Sequence, residues 1–103
     1  MLEIIDMKKI GFGYEKSNPI KVFGAGASYN YLDRLKHTEG TIVKWERHGS
    51  VLGITNDKIL DEYFVYVLLN NSTKELRRYT MYIDMYWLGL SDDCPEDFEL
   101  ISY

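Results

Sequence analysis

The sequence predicts an α+β fold: mainly antiparallel β-sheet around a central long hairpin over about residues 59–87, with one or two short helices at most. Three observations carry this expectation. The segments ILDEYFVYVLL (59–69) and LRRYTMYIDMYW (76–87) are long runs rich in β-branched and aromatic residues. The polar cluster Asn70-Asn71-Ser72-Thr73 lies between them and suits a turn. The other segments are short, and a helical face can be drawn for 29–36.

Taken in order, 2–5 and 8–12 read as short strands around Asp6. Gly11-Phe12-Gly13-Tyr14 and Lys16-Ser17-Asn18-Pro19 read as loop, and 20–23 as a short apolar strand ending at the small-residue stretch Gly24-Ala25-Gly26-Ala27-Ser28. Segment 29–36 has two readings. As a helix it places Tyr31, Leu32 and Leu35 on one face, with Ser28 to cap it and Gly40 to stop it. As a strand, 32–37 would pair across Thr38-Glu39-Gly40 with 41–48. Alternation is poor between Leu32 and Lys36, which favours the helix. Residues 42–47 predict a strand with Val43 and Trp45 on one side. Residues 49–58, with two glycines and Asn56-Asp57, predict a loop into the hairpin. Gly89 and Pro95 end the pattern after Trp87, and 98–101 reads as a last edge strand.

Inside the hairpin, a loop of two or four residues sets Leu69 opposite Lys74. One face then carries Leu60, Glu62, Phe64, Tyr66 and Leu68 against Arg77, Tyr79, Met81, Ile83, Met85 and Trp87, and is the expected core face. The other carries Ile59, Asp61, Tyr63, Val65 and Val67, with Tyr63 near Thr80 and Asp61 near Tyr82. A three-residue loop inverts the pairing.

Composition places the chain among globular proteins, with 46% hydrophobic and 15% aromatic residues over 103 positions, which is one domain's worth (1–103). No apolar run reaches the length of a membrane span, and MLEIIDMKK has acids where a signal peptide has an apolar core. The expected location is therefore cytoplasmic. A single cysteine, Cys94, is consistent with a reducing compartment. Every Lys and Arg lies at or before Arg78, while residues 79–103 carry six acids and no base. That acidic end argues against phosphate-backbone binding, so no nucleic-acid partner is expected.

Four groups of residues carry side chains or spacings that a site could use. The glycine stretch 24–28 lacks the third glycine of a dinucleotide loop, because Tyr29 stands there, and lacks the lysine of a phosphate loop. Glu46, Arg47 and His48 are the densest reactive set, but period-two alternation puts Arg47 on the face opposite Glu46 and His48. One cysteine and the isolated His37 and His48 make no zinc set, and Asp92 to Asp97 lacks calcium-loop spacing, so no metal or cofactor is expected. Tyr82 and Tyr86 beside the acids Asp92, Asp93, Glu96 and Asp97 form the strongest recognition candidate, since tyrosine gives large contact area with few rotors.

The expected function is a non-enzymatic interaction module that masks a basic protein partner through these six residues. Immunity-type inhibitors of bacterial toxins are of this kind by size and charge. The alternatives are a small hydrolase or nuclease-like enzyme using His48 and Glu46, and a small-ligand-binding β-protein.

Overall fold

The computed structural model describes residues 4–7, 11–54, 58–70, 74–88 and 93–101. Its elements are β1 (Ile4–Met7), β2 (Ile20–Lys21), α1 (Ala25–Asp33), β3 (Leu35–His37), β4 (Gly40–Leu52), β5 (Ile59–Leu69), β6 (Leu76–Asp84) and β7 (Phe98–Leu100). Strand dominates, as expected. The main sheet runs β1-β6-β5-β4, with β2 also on β6, and β3 pairs with β7 in a separate two-stranded sheet. The hairpin β5–β6 therefore occupies the centre. The sheet is mixed, however, because β1 and β2 both run parallel to β6. Among the described residues no helix is long and apolar enough to cross a membrane.

The register of the hairpin corrects the sequence reading. Tyr63 pairs with Met81, Val65 with Tyr79 and Asp61 with Ile83. The Leu69 amide donates to the Glu75 carbonyl at 3.0 Å, leaving an odd number of residues in the loop. Lys74 adopts φ 50°, the left-handed conformation that odd hairpin loops use to preserve strand twist. Residues 71–73 of the turn lie outside the described residues. The slip moves one strand's side chains to the other face. Tyr63, Val65, Val67 and Leu69 are buried with Tyr79, Met81 and Ile83, whereas Glu62, Phe64, Tyr66 and Leu68 are only half-buried. The expected core face of β6 is thus observed and that of β5 is reversed.

The buried face packs against α1, β3 and β7 through Tyr31, Leu32, Leu35 and Phe98, with Tyr14 added from the loop before β2. The expected loop at 24–28 is instead the start of α1. Gly24, at φ 91°, turns the chain into the helix, and the Ser28 amide donates to its carbonyl at 3.2 Å. Both readings of 29–36 hold in part: the helix ends at Asp33 and a strand begins at Leu35. That strand pairs with β7 rather than with 41–48, His37 lying opposite Phe98.

Strand β4 is longer than expected and continues through Gly49 to Leu52, where it pairs with Ile59. Two register shifts, between Ile42 and Lys44 and between Arg47 and Gly49, interrupt it. The first turns Val43 outward, so Ile42, not Val43, shares the inner side with Trp45. Glu46 and His48 do share a face, with Arg47 on the other: Glu46 meets Tyr66 and His48 meets Glu62, while Arg47 meets Asp61. Strand β6 stops at Asp84 rather than Trp87. There the Asp84 carboxylate accepts the Tyr86 amide at 3.0 Å and bends the chain, and Tyr86 bridges to Phe23. Met85 is consequently half-buried. Near the N-terminus, one strand (β1) crosses Asp6 where two were expected, although 1–3 and 8–10 lie outside the described residues.

Candidate functional site

The end of the sheet where β4 finishes, β5 begins and β6 bends gathers most of the exposed apolar side chains. Phe23, Tyr29, Leu52, Ile54, Ile59, Tyr86, Trp87 and Leu88 all stand there, with Tyr86 66% exposed. Their grouping follows from pairing: Leu52 lies opposite Ile59, and Phe23 bridges Tyr86. Apart from Tyr29, which stands on α1, each sits at or just beyond a strand terminus, where the period-two rule no longer turns it inward.

On the helix side this end opens into a cleft of about 310 Å³ whose walls include Tyr29, Arg47, Ser50, Asp61, Tyr63 and Tyr86. Asp61 is buried on the core face of β5. Its Oδ1 accepts from Arg47 Nε at 3.3 Å and Nη2 at 3.0 Å. Arg47 Nη2 also donates to Ser50 Oγ at 2.7 Å. A carboxylate taken out of water is tolerated because the guanidinium neutralises it. The Tyr63 hydroxyl is pushed up to about 12, first by burial and then by the Asp61 charge. Tyr63 packs edge-on against Trp45, which stacks on Tyr29 and donates its Nε1–H to Asp33 at 3.1 Å. Helix and sheet are thereby joined by three rings, making a firm wall.

A second cleft, of about 330 Å³, adjoins the first through Ile59 and Tyr86 and is completed by Lys58, Asp84 and Trp87. Lys58 Nζ donates to the buried Asp84 Oδ2 at 3.3 Å. Neither cleft has a histidine or cysteine among its lining residues. Ser50 Oγ accepts from the Arg47 guanidinium and lies on the strand position opposite Asp61. The chemistry on offer is aromatic contact and ion pairing, which suits recognition.

The expected site residues are spread over the fold. Tyr86 lines both clefts. Tyr82 is half-buried on the opposite face of β6 from Tyr79, with Lys16 Nζ 5.8 Å from its ring centroid. Asp93 and Glu96 have exposed side chains, while their backbone carbonyls accept the hydroxyls of Tyr31 and Tyr14. Asp97 is half-buried: its carbonyl accepts the Thr38 amide at 3.0 Å and its Oδ2 accepts the Tyr79 hydroxyl at 3.2 Å. Asp92 lies outside the described residues. The acids beyond residue 92 therefore sit where the 93–98 segment crosses α1 and β3, and Tyr82 faces away from that crossing.

His48, the histidine of the enzymatic alternative, stands exposed on the open face. Its Nδ1 lies 2.6 Å from Glu62 Oε1 and its ring stacks on Phe64 at 4.5 Å. Glu46 is engaged elsewhere, by the Tyr66 hydroxyl at 3.0 Å and Lys44 at 3.5 Å. His48 is thus paired with a carboxylate other than the expected one.

Sequence reading missed Phe23, Tyr29, Lys58, Asp61, Asp84 and Trp87 as one group. They come from four separate stretches of the chain, which only the fold brings together. One signal was available: apolar residues such as Leu52, Ile54 and Ile59 flank a glycine-containing loop, an unusual place for them if unused. Comparison of the chain with protein-family models, with curated proteins and with solved structures finds no match.

Proposed function

We propose that this chain is a non-enzymatic protein-interaction module that masks a basic partner, with Tyr86 as the centre of the contact. The observation that supports this reading is the exposed aromatic and aliphatic group Phe23, Tyr29, Ile59, Tyr86 and Trp87 around two ion-paired clefts. Interfaces draw most of their energy from such aromatic anchors, and monomers seldom leave so many large apolar side chains together in water. The basic character of the partner follows from charge. The chain carries −4, its last twenty-five residues carry six acids, and Asp93, Glu96 and Glu99 are exposed. Such acids steer a basic protein and accelerate encounter. An immunity-type inhibitor of a bacterial toxin fits this combination of size, charge and anchor.

The test is capture from host extract by the tagged chain and by its Tyr86→Ala and His48→Ala variants. The expected result is one stoichiometric basic protein retained by wild type and His48→Ala and lost with Tyr86→Ala. Retention by Tyr86→Ala, or loss with His48→Ala instead, rejects the reading.

A further inference from the structure

On the open-face side of the same sheet end, a separate hollow of about 280 Å³ brings together Lys16, Lys21, Lys58 and Asp84 over a floor that includes Ile54 and Leu60. Among the described lining residues, three ammonium groups face one carboxylate, a surplus of two positive charges in an otherwise acidic protein. Asp84 is buried and already held by Lys58 at 3.3 Å and by the Tyr86 amide at 3.0 Å. Among the described residues, Lys16 and Lys21 have no carboxylate at ion-pair distance. Lys16 instead rests over Tyr82, and Lys21 over Trp87 at 5.6 Å, where Lys58 also lies at 5.9 Å. The Glu15 carboxylate near this loop accepts from Ser17 Oγ at 3.4 Å.

We propose that this hollow binds a small phosphate monoester carried on a planar aromatic body, of mononucleotide size. A phosphate monoester carries about −1.5 to −2 charges at neutral pH, which matches the surplus of two. Lysine ammonium groups bind phosphate as mobile point charges, and cations parked over a ring at 5–6 Å are held weakly enough to turn onto an anion. The same turn uncovers Trp87, which is half-exposed and lines the adjoining cleft with Tyr86. The two hollows share Lys58 and Asp84, so phosphate and ring have contiguous places. This site shares Trp87 and the Lys58–Asp84 wall with the proposed partner contact but rests on Lys16 and Lys21, which that contact does not use, so the Lys16 and Lys21 variants tell a failure of one from a failure of the other.

The probes are inorganic phosphate, glycerol 3-phosphate and adenosine monophosphate, titrated calorimetrically, with the Trp87 indole N–H followed by NMR. Adenosine monophosphate should bind saturably and more tightly than the other two, shift the Trp87 signal, and weaken as salt is raised. Lys16→Gln and Lys21→Gln should each weaken it about tenfold, as expected for loss of one charge-assisted contact, while Lys36→Gln on β3 should not. Trp87→Ala should bring adenosine monophosphate down to the level of glycerol 3-phosphate. No saturable binding, equal binding of all three probes, or an equal effect of Lys36→Gln overturns the proposal. Lys16 is exposed and leaves the sheet pairing untouched, so its variant reports on binding rather than folding.

Discussion

His37 Nε2 lies 2.8 Å from the Tyr79 hydroxyl, and this bond ties the small β3–β7 sheet to the centre of the main sheet. His37 Nδ1 accepts the Glu39 amide at 3.0 Å, so the ring proton sits on Nε2 and is donated to the Tyr79 oxygen, while the Tyr79 hydroxyl donates its own hydrogen bond to Asp97 Oδ2. The ring also meets Phe98 edge-on at 5.1 Å. Replacing His37 by Ala removes a buried ring and strands the polar atoms that face it, at a cost of about 2–3 kcal/mol. Urea denaturation measures that loss, and nitrogen NMR of the imidazole should show the Nε2–H tautomer.

Ile83 is fully buried on β6, opposite Asp61. Its replacement by Ala should destabilise the protein by about 2–5 kcal/mol, because a cavity is added to the lost transfer free energy. Chemical denaturation checks this. A change within error would remove Ile83 from the core.

Arg47 neutralises the buried Asp61 from a half-exposed position. Arg47→Ala should therefore cost about 1–2 kcal/mol, less than loss of a fully buried partner because water can reach part of the gap. Arg47→Ala combined with Asp61→Asn should recover part of that loss in a double-mutant cycle.

Alkaline pH should unfold the protein through its buried tyrosines. Tyr14, Tyr31, Tyr63 and Tyr79 all have their hydroxyls raised above the ordinary value near 10, with burial as the largest cause. Above pH 10 the unfolded chain loses tyrosine protons that the folded chain keeps, so the unfolded state binds fewer protons and stability falls as pH rises. The contribution of Tyr63 is intact below pH 10 and is lost as pH climbs through about 12. Thermal melts from pH 9 to 12 should show the decline, and Tyr63→Phe should make it shallower.

Binding kinetics with the captured partner separate anchor from steering charge. Asp93→Asn with Glu96→Gln should slow association and flatten its salt dependence, since both side chains are exposed. Tyr86→Ala should chiefly speed dissociation. Asp97 is excluded from that pair because its carboxylate holds Tyr79, so its loss would report on folding. Tyr82→Ala, on the other face, should change dissociation less than Tyr86→Ala.

The sequence by itself determined the strand-rich class, the central hairpin, the burial of Met81 and Ile83, and the separation of Arg47 from Glu46 and His48. Each is local: a run of β-branched and aromatic residues, or a period of two, is written in consecutive positions. Tertiary structure decided the parity of β5, because one left-handed residue at Lys74 changes the loop count and reverses which of Phe64 and Val65 is buried. It also decided that β1 and β2 run parallel to β6, and that β3 leaves α1 to join β7. Apart from Tyr86, the candidate site belongs to this second group. Phe23, Lys58, Asp61 and Tyr86 meet only because strands pair across the sheet, and a contact between distant residues leaves no periodic trace along the chain.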